Sequence, residues 1–100
     1  MKVFKMNDID WVAAETEEQA KFFYGKEVGF DQGEVEHDFV GEVSLQDTML
    51  VEVDELPLEE QKMAQTMKRL HGTLFTYKPF SWVIEHEKIT KPCVIASTEY

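Results

Sequence analysis

The chain has 100 residues, 43% of them apolar and 12% aromatic, with twenty acids against ten bases and a formal charge of −10. That length makes one domain, residues 1–100, able to bury roughly 65% of its unfolded surface, and the apolar content argues against disorder. The charge repels nucleic acid and anionic membranes and attracts cations or basic protein surfaces, while a lone cysteine, Cys93, excludes an internal disulfide and suits a reducing compartment.

Lys2–Met6 reads as a short strand, Asn7-Asp8-Ile9-Asp10 as a turn, and Trp11–Ala14 as a second strand. Thr16-Glu17-Glu18-Gln19 has the pattern of a capping box. Ala20, Phe23, Tyr24 and Val28 then follow on one face of a helix that Gly29 ends. Gly25 lies inside that helix, where glycine costs about 1 kcal/mol, and is a second place for it to stop. Residues 30–38 are expected to be a loop. Phe39–Leu45 and Thr48–Val53 alternate with period two around Gln46-Asp47, the pattern of a half-buried hairpin with one charged face.

Leu56–Leu70 has the strongest helical pattern. Pro57 and two acids stand at its start, Leu56, Met63, Met67 and Leu70 make a stripe, and Lys68, Arg69 and His71 precede a terminal Gly72. Thr73–Tyr77 is expected as a strand and Cys93–Ala96 as a buried strand. In Phe80–Glu87, Phe80, Val83 and Ile84 suit a helix face and Phe80, Trp82 and Ile84 suit strand alternation, and a short helix after Lys78-Pro79 is favoured. The order β-β-α-β-β-α-β-α-β predicts a single α+β domain, with a small, mostly antiparallel sheet and two or three helices packed on one face.

The opening Met1-Lys2-Val3-Phe4-Lys5 builds no signal peptide, and no apolar run nears the ~20 residues of a membrane helix, so a cytoplasmic protein is expected. Residues 31–60 hold eleven carboxylates and no Lys or Arg, against six acids and four bases in 1–30 and three acids and six bases in 61–100. On the expected hairpin Glu52 and Asp54 form a line of negative charge about 6.5–7 Å apart, with Glu42 facing them. The loop Glu34-Val35-Glu36-His37-Asp38 adds Glu34, Glu36 and Asp38. This face reads either as a solvated surface that keeps a small protein soluble or as a surface that binds a basic partner. The spacing is of the same order as the phosphate rise along one strand of nucleic acid, so a host nucleic-acid-binding factor is one such partner. The solvated surface is the commoner case, and the thirty residues without a base add weight to the partner reading, because ordinary solvated faces mix signs. Phe22 points away from the helix stripe, so it either anchors a partner or is covered by residues 30–38.

Asn7, Asp8 and Asp10 offer oxygen ligands for a hard cation, but neither frame gives the Gly and Glu of a calcium loop, and turn chemistry with a strand-end cap explains them better. His37, His71 and His86 have no second nitrogen or sulfur ligand at a zinc spacing. Cys93, in an apolar run, reads as inert packing. Nucleophile elbows, glycine-rich phosphate loops and zinc-protease spacings are all missing. The bases near Lys68, Arg69 and Lys78 are too few against −10 for direct nucleic-acid binding. No catalytic residue, cofactor or metal is therefore assigned.

Lys2-Val3-Phe4-Lys5-Met6-Asn7-Asp8, Asp10-Trp11-Val12-Ala13-Ala14, Leu56-Pro57-Leu58-Glu59-Glu60-Gln61 and the closing Ile95-Ala96-Ser97-Thr98-Glu99-Tyr100 together carry a resemblance. They are similar to a group of short proteins of unknown function from Gram-positive bacteria, their phages and prophages. The chain departs from that group at Ile9, where a Cys is frequent, and at Gly25. The resemblance implies a small accessory protein of phage type, and such proteins often bind and disable a host factor. The expectation is a non-enzymatic inhibitor or adaptor acting through the acidic hairpin. The alternatives are a divalent-cation-binding protein or small metal-dependent enzyme using Asp8 and Asp10, and a structural or homodimeric domain without catalytic role.

Overall fold

The computed structural model describes residues 1–63 and 67–98. Strands β1 (Lys2–Lys5), β2 (Asp10–Ala14), β3 (Gly41–Val43) and β7 (Cys93–Ser97) form one antiparallel sheet, in the order β3-β1-β2-β7. Strands β4 (Thr48–Glu52), β5 (Met67–Leu70) and β6 (Thr73–Pro79) form a second, in the order β4-β6-β5. Helices α1 (Glu17–Val28), α2 (Gln32–Asp38), α3 (Leu58–Met63) and α4 (Phe80–His86) and a 3₁₀ turn at Val53–Glu55 complete the described residues, and the domain is α+β.

The first sheet is buried on both faces, which explains its small and apolar composition. On one side Phe4, Met6, Val12 and Ala14 pack with Ala20 and Tyr24 of α1 and Val35 of α2. On the other, Val3, Ala13 and Ile95 pack with Val51 of the second sheet, Leu56, and Phe80 and Val83 of α4. Helices therefore cover both faces of this sheet rather than one. A bulge opposite Trp11 and Val12 lets consecutive residues Ile95 and Ala96 of β7 both join the second core.

The capping box forms with its return bond shifted by one residue: the Thr16 hydroxyl accepts from Gln19 N–H at 3.1 Å, and Gln19 Oε1 accepts from Glu15 N–H, just before the cap, at 2.7 Å. The helix does not stop at Gly25. It runs to Gly29, whose N–H donates to the Gly25 carbonyl at 3.0 Å and whose φ of 77° turns the chain out of the helix. Gly25 has a different use, for an added Cβ there would lie 3.1 Å from the Phe30 carbonyl oxygen and 2.5 Å from Gln32 Nε2. Its missing side chain is what lets the chain fold back closely into α2.

Three expectations are corrected. Residues 30–38 are not a loop, because the Asp31 carboxylate accepts from Glu34 N–H at 2.8 Å and caps α2, which buries Val35. The expected hairpin is not formed: β3 pairs with β1, placing Glu42 opposite Phe4, and β4 pairs with β6, placing Glu52 opposite Phe75. The segment between β3 and β4 crosses from one sheet to the other, and its Leu45 and Asp47 carbonyls accept from Ser81 N–H and Phe80 N–H at 3.0 and 2.9 Å. It thereby satisfies amides at the start of α4 that no helical carbonyl can reach. The helix expected over 56–70 is only Leu58–Met63, and Met67–Leu70 is a strand paired with β6. His71 (φ 51°) and Gly72 (φ 81°) both have positive φ and form the two-residue link of a hairpin, so Gly72 is a turn residue and not a helix stop. The part of the expected helix at 64–66 lies outside the described residues.

Candidate functional site

Trp82 and His86 stand four residues apart on α4 and so share a face. Their rings stack with centroids 4.4 Å apart and an interplanar angle of 12°. Lys78, near the end of β6, brings its Nζ 5.0 Å from the Trp82 ring centroid and 3.2 Å from Glu60 Oε1 on α3. The stack borders two hollows. One, of about 140 Å³, is lined by Val51, Glu52, Glu55, Trp82, His86 and Glu87 among others. The other, of about 350 Å³, is lined by Glu60, Trp82, Glu85 and His86.

Four separate segments thus deliver carboxylates to one aromatic ridge. Glu52 comes from the end of β4, Glu55 from the 3₁₀ turn that follows, Glu60 from α3, and Glu85 and Glu87 from the end of α4 and the residue after it. The described residues lining the two hollows include no Lys or Arg. The ion pairs among the described residues join Lys21 to Glu17 and Glu36 and Lys78 to Glu60, so Glu52, Glu55 and Glu87 have no such partner. Cys93 is half-buried, and its thiol is pushed up by burial and then by the Glu87 carboxylate, so a reactive thiolate is disfavoured.

The acids singled out from the sequence do not converge. Glu34, Glu36 and Asp38 lie on α2, where Glu36 holds Lys21 at 2.9 Å, and Glu42 lies on β3. Glu52 joins the aromatic ridge, and Asp54 is exposed on the 3₁₀ turn beside it. Phe22 is 60% exposed rather than covered, with Lys26 Nζ 5.1 Å from its ring, and sits on α1, across the first sheet from α4. Glu55, Glu60, Trp82, Glu85, His86 and Glu87 were missed. The available signal was the Trp82–His86 spacing with acids at Glu85 and Glu87 around it.

Asn7, Asp8 and Asp10 carry a turn. Asn7 Oδ1 accepts from the N–H groups of Ile9 and Asp10, both at 2.9 Å, and its Nδ2 donates to the Tyr24 hydroxyl at 2.7 Å. That hydroxyl donates in turn to Asp10 Oδ2 at 2.7 Å. Burial, then the Asp10 hydrogen bond, push the Tyr24 phenol up to about 12 against a smaller opposing effect of Asn7. Asp8 stays exposed. Among the described residues no group of three or more His, Cys, Asp or Glu side chains is placed to hold a metal ion, and no described helix is long and apolar enough to cross a membrane.

Compared with family models, with curated proteins and with solved structures, the chain matches none.

Proposed function

We propose that this protein is a small, acidic, non-enzymatic accessory protein that binds a basic surface of another protein through the carboxylates around Trp82 and His86. The observation that carries this reading is the gathering of Glu52, Glu55 and Glu87 at one hollow, with Glu60 and Glu85 at the next and Lys78 as the nearby cation. Uncompensated carboxylates beside an aromatic surface favour a cationic partner over an anionic one. Occupying a basic site would exclude nucleic acid from it, so the action is inhibition or adaptation of a nucleic-acid-binding factor by occlusion. The likeness to short phage and prophage proteins supports a host target of that kind and a cytoplasmic setting.

The test is affinity capture from a Gram-positive lysate, with wild type beside a Glu52→Gln, Glu55→Gln, Glu87→Gln variant, each washed at low and high salt. Exposed charges are screened within about 8 Å at physiological ionic strength. A host protein held by the wild type, released by salt and lost from the variant is expected. Equal recovery by both, or capture indifferent to salt, contradicts the reading.

A further inference from the structure

The hollow of about 140 Å³ combines features that an acidic patch alone does not have. Its floor is carbon, from Val51 and Val83, both buried. One wall is the stacked Trp82–His86 pair, and the rim carries Glu52, Glu55 and Glu87. At about 30 Å³ per liquid water, it holds the volume of about four to five waters, enough for one guanidinium and part of its stem. Beside it the protein supplies an internal precedent: the Lys78 ammonium lies over Trp82 while Glu60 holds it. That arrangement neutralises Glu60, and none of the ion pairs among the described residues involves the carboxylates of the smaller hollow.

We propose, resting on the function proposed above, that this hollow receives a single arginine side chain from the partner protein. Charge complementarity selects a cation, and the shape and chemistry select arginine over lysine. A guanidinium is planar, stacks on aromatic rings and can donate to two carboxylates at once. An ammonium is compact and strongly hydrated, so it loses more on entering a carbon-floored hollow. His86 and Lys78 already lie over the Trp82 ring, so the arginine lies along the edge of the Trp82–His86 pair and donates to the rim carboxylates.

The probes are acetyl-Gly-Arg-Gly-amide and acetyl-Gly-Lys-Gly-amide, titrated into the full chain and followed by the NMR shift of the Trp82 indole N–H, with Trp11→Phe used to assign it. The arginine peptide is expected to shift Trp82 saturably, with a Kd at least fivefold below that of the lysine peptide, and Glu52→Gln with Glu87→Gln to weaken it several-fold. Both substitutions are at exposed side chains, so loss of folding does not confuse the result. No saturable shift at Trp82, or equal binding of the two peptides, overturns the proposal. If a partner is captured through Glu52, Glu55 and Glu87 while the arginine peptide leaves Trp82 unmoved, the arginine slot falls and the acidic-surface function stands. An arginine-selective shift without a captured partner supports the slot and counts against that function.

Discussion

Replacing Tyr24 with Phe removes one oxygen and tests how the first turn is tied to α1. The hydroxyl donates to Asp10 Oδ2 and accepts from Asn7 Nδ2, each at 2.7 Å, and Tyr24 itself is 3% exposed. The variant keeps the ring and its packing but leaves an amide N–H and a carboxylate oxygen without their partner. An unsatisfied buried group costs about 1–3 kcal/mol. Asn7 and Asp10 are only half-buried, so water recovers part of that, and the expected loss is about 2 kcal/mol for the pair. For a domain of this size the loss lowers Tm by about 8–16 °C. It moves the urea midpoint down by about 1–2 M with m unchanged. The pH dependence gives a second readout. The folded phenol titrates at about 12, above the unfolded value near 10. Between those values the folded protein holds more protons than the unfolded chain, so this contribution is full below pH 10 and is lost as pH rises towards 12. The gap between wild type and Tyr24→Phe therefore narrows over that window. A stability change below about 0.5 kcal/mol at neutral pH, or a gap that does not vary with alkaline pH, would refute the assignment of a working hydrogen-bonded link.

Gly25→Ala improves helix propensity by about 1 kcal/mol but places a Cβ 3.1 Å from the Phe30 backbone carbonyl and against Gln32, so thermal melting should show no gain and a small loss. A Tm rise matching the full propensity gain would mean α2 is not packed that closely. Gly72→Ala forces a side chain into φ of 81° and is expected to cost about 1–2 kcal/mol in urea unfolding, whereas the same change at a helix stop tolerant of the αR conformation would cost less. Cys93 should react with a thiol reagent more slowly than a free cysteine at pH 8, because burial and Glu87 keep its thiol protonated, and rapid modification of the folded protein would contradict that placement.

Local chemistry was legible in the sequence and partner choice was not. The capping box at Thr16 and Gln19, the αL stop at Gly29 and the short helix after Pro79 follow from side-chain and backbone preferences of a few neighbouring residues. Period two in Val43 and in Met49 and Val51 identified two strands correctly. It carried no information on which strand each would pair with, and the segment between them was needed to accept amides from α4. The helical stripe over Leu56–Leu70 misled because Met67 and Leu70, three apart, keep the helical spacing, while the His71-Gly72 turn with β6 as partner decides the matter. The same limit scattered the expected acidic face. Glu42 and Glu52 are near in sequence but sit in different sheets, while Glu52 and Glu87 are distant in sequence and line one hollow.

The most direct test of the acidic ridge separates local charge from bulk charge. Two variants of equal net charge are compared with wild type in capture from a Gram-positive lysate, quantified by mass spectrometry at physiological salt. One carries Glu52→Gln, Glu55→Gln and Glu87→Gln, and the other Glu34→Gln, Asp38→Asn and Glu42→Gln. Loss of the captured protein from the first variant, with retention by the second, is the predicted result. Equal weakening of both would show that overall acidity, and not the surface around Trp82 and His86, holds the partner.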